Sequence, residues 1–324
     1  MNLAQISSGM SGRGAGLLTS MLEEAPALQF AEFQSEASDH LLATARETAT
    51  GSSSRNEGDT AHRNAVVPDV TPRKLRLYSR EVTVDNVRIQ DVRNGITAPA
   101  GLKNFYDRQL KVEANGLADD LQNDLFAGTD AADVAGKIHM LGFSEFLKDA
   151  VAAGQTARFG FSTADIAAMN VQAALKLDTD ENQSAFVELL YKVLAQIPGA
   201  NAIQCNVNLA ARLTTIAKKL GAAGESINSF GTKASTFNGI PIIPVPVTTI
   251  SQSESDGVNA DCTSLYAIRY QEDTGVAVTT NSGILFADFA ESSELPSGIA
   301  RIEFFGNLAV QSRNSLRRIS RIRL

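Results

Sequence analysis

The 324-residue chain has no tryptophan and five tyrosines, so it supplies little material for an aromatic-walled ligand cleft. It has two cysteines, Cys205 and Cys262, with no CxxC spacing. Each sits among apolar, strand-like neighbours, which predicts two small buried thiols made in a reducing compartment and no disulfide. The three histidines, His40, His62 and His139, are far apart. None has a cysteine, histidine or carboxylate at metal-ligand spacing, so no metal is expected. Long apolar runs are missing as well: the most apolar stretch, Ile240 to Val247, is short and carries Pro241, Pro244 and Pro246, so no membrane span is expected. The N-terminus, MNLAQISSGMSGRGAG, lacks the basic start and apolar core of a signal peptide. Positive charge is in deficit, 29 Lys and Arg against 36 Asp and Glu, and a net charge of -7 speaks against a dedicated nucleic-acid binder.

Signatures of chemistry are equally sparse. A phosphate-cradling loop needs GxxxxGK[ST], and Gly231-Thr232-Lys233 lacks the preceding glycine and the following hydroxyl. GRGAG near the N-terminus lacks the flanking strand of a dinucleotide fingerprint. Asp178-Thr179-Asp180-Glu181-Asn182 has calcium-loop oxygens, but Gln183 stands where a glycine is needed and Leu189 where a bidentate glutamate belongs, so it reads as a helix N-terminus. There is no GxSxG elbow. No catalytic residue and no cofactor are assigned.

What is present is patterning. From Leu102 to Phe126, Leu110, Ala114, Leu117, Leu121 and Leu125 form one apolar stripe at helical period, opposite Asp107, Arg108, Lys111, Glu113, Asp119, Asp120 and Asp124. This predicts a spine helix roughly 37 Å long, with Gly116 marking close packing and Gly128 a C-terminal cap. Residues 1 to 62 hold eight acids and three arginines and are rich in glycine and serine. They read as an arm with short helices at Leu17 to Leu22 and Ser35 to Glu47. Leu75, Leu77, Val82, Val84, Val87 and Ile89 alternate around Asp85-Asn86, which predicts a basic hairpin. Its arms bury too little on their own and are expected to rest on another chain.

Further helices are predicted over Phe143 to Ala152, Thr163 to Leu175 and Asn182 to Gln196, the last behind an Asp180-to-Gln183 capping box, and from an Asn208 cap to Lys219. Strands are predicted at Ala202 to Val207, Phe237 to Val247, Ser264 to Arg269, Val276 to Phe286 and Ile299 to Ala309. The prolines should confine the Phe237 to Val247 strand to an edge or a bulge. The chain then ends in an arginine-rich RNSLRRISRIRL. Candidate intersubunit contacts are Arg73, Lys74, Arg76, Arg80, Arg88 and Arg93 of the hairpin and Arg317, Arg318 and Arg321 at the end. Ion pairing with the acidic arm across a subunit boundary is preferred to phosphate binding for the terminal cluster.

In this order the elements resemble the major capsid protein of tailed double-stranded DNA bacteriophages. TFNGIPIIPVP (Thr236 to Pro246) is similar to the central strand of that family's axial domain, and LYAIRYQEDTGVAVTTNSGILFADF (Leu265 to Phe289) to the link out of it. ARIEFFGNLAVQSRNSLRRI (Ala300 to Ile319) is similar to the returning peripheral strand. The last two resemble short-tailed phages in particular. The resemblance implies an α+β Hong Kong phage shell fold: an N-terminal arm over 1–64, an extended hairpin loop over 65–99, a peripheral domain with the spine helix over 100–139, an axial domain over 140–282, and a return to the peripheral domain over 283–324. It implies a non-enzymatic protein that forms hexamers and pentamers of an icosahedral virion shell around DNA, made in the bacterial host cytoplasm. A separate scaffolding protein, a portal and a cement protein are the implied partners. Some members weld subunits through a Lys-Asn bond; Lys74 with Asn307 or Asn314 would serve, but no motif marks them and no cross-link is assigned. The rivals are an encapsulin-like compartment of the same fold and a soluble α+β enzyme.

Overall fold

The computed structural model describes residues 2–6, 12–35, 42–48, 67–85, 99–129, 139–147, 157–158, 161–227, 233–255, 257–272, 274–289 and 297–324. The chain begins with α1 (Leu3–Ile6), α2 (Gly12–Glu24), α3 (Pro26–Phe30) and β1 (Phe33–Ser35). Next come β2 (Leu42–Thr48), β3 (Val67–Arg73) and β4 (Arg76–Asp85), the long α4 (Pro99–Ala127) and the one-turn α5 (Phe143–Phe146). β5 (Ala157–Arg158), β6 (Phe161–Ser162), α6 (Thr163–Met169), β7 (Asn170–Lys176), α7 (Asp180–Ala195), β8 (Ala202–Asn206) and α8 (Val207–Lys219) follow. The chain ends with β9 (Ala223–Ile227), β10 (Lys233–Phe237), β11 (Ile240–Val245), β12 (Cys262–Ile268), β13 (Val276–Phe289), β14 (Ser297–Val310) and β15 (Leu316–Arg323).

Two sheets organise these elements. One has the order β1-β13-β14-β4, the other β7-β15-β12-β8-β11-β10-β9. The spine helix lies on the first. Its stripe of Leu110, Ala114, Leu117, Leu121 and Leu125 is at most 2% exposed, as the periodicity requires. The second sheet is covered on both faces, which is why all five residues of β8 are buried. Ile203, Cys205, Ile242, Leu265, Ala267, Ile319 and Ile322 pack with α7 and α8. On the other face Tyr266 meets Phe126 and Phe143, with ring centroids 5.5 and 5.7 Å away. Cys205 and Cys262 are buried free thiols, and burial pushes the Cys205 thiol up to about 12.

Several expectations are corrected. Residues 12–35 are no loose arm: Leu18, Met21, Leu22, Leu28 and Phe33 are buried in the subunit's own core, and β1 pairs in parallel with β13. Of the helix expected over Ser35 to Glu47, Leu42–Thr48 is instead strand β2, paired with β3, and 36–41 lies outside the described residues. β4 pairs along its whole length with β14, more than two hundred residues away in sequence, and the expected turn at Asp85-Asn86 runs out of the described residues after Asp85. The expected second arm, Val87 to Asn94, lies outside the described residues. Thr163 to Leu175 divides at Asn170 into α6 and β7. The helix caps shift by one or two residues: Thr179 Oγ1 accepts from Asn182 N–H at 3.3 Å, and Asn206 Oδ1 from Leu209 N–H at 2.8 Å.

β11 is interior rather than an edge, with β8 on one side and β10 on the other. Its prolines are tolerated because the register with β10 covers only Ile240 and Pro241. The arginine-rich terminus is β15, which runs between β12 and β7 instead of returning with β14.

Gly128 is a glycine for another reason than capping by left-handed backbone. Its N–H bonds Asp124 C=O at 2.9 Å, continuing the helical ladder. A Cβ there would stand 2.0 Å from the Met140 carbonyl oxygen. Gly128→Ala is therefore expected to destabilise the subunit by about 1 to 3 kcal/mol, read as a lower urea midpoint; an unchanged midpoint would mean the 139–142 backbone yields freely.

Candidate assembly surfaces

The nine basic candidates fall into different settings. Arg73 belongs to β3, and Arg88 and Arg93 lie outside the described residues. Lys74 is exposed, and its carbonyl accepts from Asn307 Nδ2 at 2.9 Å. Arg76 is half-buried at the start of β4. Arg80 lies over Gly116, 3.8 Å from where a Cβ would be, and pairs with Asp120 and, at 3.5 Å, with Glu113 of the spine helix. That bond to Asp120, set against partial burial, holds the guanidinium pKa above its ordinary value.

Arg317 is 7% exposed and donates to Ala168 C=O, while burial lowers its pKa. Arg318 donates to Glu254 at 2.7 Å and to Ser264 Oγ at 2.8 Å, with its guanidinium carbon 5.9 Å from the Tyr266 ring centre. Arg321 occupies a bulge at φ 60 between Ser320 and Ile322. Arg80, Arg317 and Arg318, expected to meet a neighbour, are thus engaged by their own subunit. The physical reason is that each comes from a strand whose flanking elements carry matching carboxylates or free carbonyls. Asn307 is also spoken for: it is 1% exposed, and its Oδ1 accepts from Leu141 N–H at 3.0 Å, which removes it as a cross-link acceptor.

Surfaces that the sequence did not single out are apolar. Along β4 and β14, Tyr78, Arg80, Val82, Ile302 and Phe304 face the spine helix, so alternation turns Leu77, Glu81, Arg301 and Phe305 outward. Leu77 is 53% exposed and Leu285 of β13 42%, and Leu77 is the direct cross-strand neighbour of Phe305. Arg301 borders this patch, 3.2 Å from Glu81 and 3.6 Å from Glu303. On the spine helix, Val112 is 62% exposed. The signal for the patch was available in the Leu75-Leu77 alternation, once β4 is known to have one covered face.

The β2–β3 ribbon is a two-stranded sheet in which each strand is the other's ladder partner. A groove of about 530 Å³ lies between α3, the start of α8 and β10–β11, with Pro26, Phe30, Val207, Ala211 and Ile243 in its walls. Among the described residues no group of three or more His, Cys, Asp or Glu is placed to hold a metal, and no helix is long and apolar enough to cross a membrane.

The architecture, a spine helix against one sheet and a second sheet between helices, is the α+β Hong Kong phage shell fold. The encapsulin SrpI of Synechococcus elongatus PCC 7942, in its holo complex, aligns over 92% of this chain and 87% of its own with a TM-score of 0.55 and 11% identity. The capsid of a native GTA particle aligns over 93% and 90% with a TM-score of 0.54 and 13% identity. The capsid of cyanophage P-SCSP1u aligns over 89% and 85% with a TM-score of 0.50 and 10% identity. At these identities the likeness is one of fold. No protein-family model and no curated protein sequence matches the chain.

Proposed function

We propose that this chain is a structural shell protein that assembles with copies of itself into a closed particle, and more specifically the major capsid protein of a tailed double-stranded DNA phage. Hexamers and pentamers of the subunit would build an icosahedral shell around the genome, guided by a separate scaffolding protein, with a portal at one vertex and a cement protein as a further partner. No catalysis is assigned. The observation that carries the reading is the β2–β3 ribbon: a two-stranded sheet is marginal in water, and beyond its own ladder this one touches its own subunit at β14, so it calls for a further surface, which a neighbouring subunit would supply. Contacts of this head-to-tail kind close into rings and shells where the rotation permits. Arg73 at the end of β3, the adjoining Lys74, and Arg88 and Arg93, which follow β4 in sequence, are the contacts we assign to a neighbour. The outward Leu77, Phe305 and Leu285 patch is a second contact of the same kind.

A compartment of the encapsulin type is the alternative, since the fold is shared with SrpI and with the capsid of an empty GTA particle at the same TM-score of 0.55. Sedimentation of the purified chain tests the common part of both readings. Capsomers or particles are expected; a 34.5 kDa monomer or a dimer at all concentrations overturns them. Particles recovered with long, nuclease-protected double-stranded DNA support the phage capsid, and particles recovered with protein cargo support the compartment.

A further inference from the structure

Four parts of the chain are tied together at the C-terminal end of the spine helix. Asp124, in the last turn of α4, accepts a hydrogen bond from the Tyr78 hydroxyl of β4 at 2.5 Å and lies 2.8 Å from His139 Nδ1 through the same carboxylate oxygen. Met140 N–H donates to Tyr78 Oη at 2.7 Å, Leu141 N–H to Asn307 Oδ1 of β14 at 3.0 Å, and Gly142 N–H to Gly128 C=O at 2.9 Å. Residues 139–142 therefore leave the spine helix under four restraints and lead directly to α5, whose Phe143 packs beneath the seven-stranded sheet.

Negative charge gathers at this joint among the described residues. A carboxylate in the last turn of a helix faces the negative end of the helix dipole, and Asp124 is only 15% exposed. Asp120, one turn earlier, adds negative charge on the same side, and Arg80 of β4 is held by Asp120 and Glu113. Burial, and then the charge of Asp124, push the Tyr78 hydroxyl well above its ordinary range, so it stays a neutral donor. Among the described residues, the imidazole of His139, 33% exposed, is the group beside Asp124 that can change charge near neutral pH.

We propose that His139 is a pH-responsive latch between the spine helix and the seven-stranded sheet. Protonated, it binds Asp124 as an ion pair and holds 139–142 against α4 and, through Tyr78, against β4. Neutral, its link to Asp124 is a hydrogen bond without the ion pair. The sign follows from the attraction: the joint is tighter in mild acid and loosens as pH rises through the titration of the ring.

Amide exchange of the full-length protein across 139–147, corrected for the intrinsic pH dependence, tests this. The joint is expected to open about fivefold less often near pH 5.5 than near pH 8, the scale of a partly exposed ion pair. His139→Gln should bring that ratio close to one, and His139→Lys, charged at both values, should protect the segment at both. Tyr78→Phe removes the acceptor of Met140 N–H and should raise exchange at both values while keeping the ratio. A purely packing role for His139 would give equal protection at the two pH values in the wild-type protein, or a ratio that survives His139→Gln, and either result overturns the latch.

Discussion

Deleting residues 2–35 is expected to abolish folding of the subunit itself, and not merely its assembly. Leu3, Leu18, Met21, Leu22, Leu28 and Phe33 are each at most 6% exposed. Each large buried side chain contributes about 1.5 to 3 kcal/mol, so their joint loss is comparable with the whole stability of a domain, about 5 to 15 kcal/mol. The deletion also uncovers partners that remain. Leu117, Leu121 and Leu125 of the spine helix lose a neighbour, and Gln122 Oε1, buried against Ala27 N–H at 3.1 Å, loses its donor. β13 loses its parallel neighbour β1 and is left as an open strand edge. The truncated chain should therefore be insoluble, or lack a cooperative melt, when expressed beside the full-length protein. A soluble truncated subunit with a sharp melting transition would return the segment to the status of a detachable arm.

The reason this was hidden in the sequence is instructive in physical terms. Residues 1 to 62 have the glycine, serine and acid content of an arm, and composition averages over the few positions that matter. The apolar residues of α2, Leu17, Leu18, Met21 and Leu22, do follow a helical period, and the helix they predict is present. What composition cannot supply is the surface that receives it. The same limit applies to β4. Its alternation was legible, but a partner in β14 is invisible to local reading. Asn238-Gly239 is a turn signal that local reading does supply. Both residues have positive φ, 49° and 80°, and they form the two-residue turn that joins β10 to β11.

β15 was missed for the opposite reason, because its apolar residues suggest the wrong period. Leu316, Ile319 and Ile322 recur every third residue, which fits neither strand nor amphipathic helix well. The bulge at Arg321 reconciles them: one extra residue between Ile319 and Ile322 returns Ile322 to the face that packs with α7 and α8. The arginines between them then find carbonyls and carboxylates inside the subunit, and so a cluster that reads as an interaction tail is largely internal. The spine helix was legible almost to its ends, since twenty-odd residues of unbroken periodicity leave little alternative. Contacts between subunits leave no comparable trace: they depend on which charges and apolar residues remain unpaired after folding.

Ile242→Asp is expected to leave no folded subunit, and it tests the centre of the seven-stranded sheet. Ile242 is 2% exposed, sits opposite Ile203 of β8, and belongs to the core that packs with α7 and α8. Removing its side chain alone would cost about 1.5 to 3 kcal/mol of burial. Placing a carboxylate among aliphatic neighbours adds the cost of desolvating an unpaired charge, several kcal/mol after relaxation. Protonation would lessen that cost but leave a buried polar group unsatisfied. The sum approaches the full stability of the domain. Two residues along the same strand, Pro244 is exposed, and Pro244→Ser should change stability by no more than about 1 kcal/mol. Measured together by soluble yield and urea unfolding, the pair separates a strand with a buried face from a surface segment. If Ile242→Asp remains soluble and unfolds cooperatively near the wild-type midpoint, β11 does not lie between β8 and β10 in the folded protein.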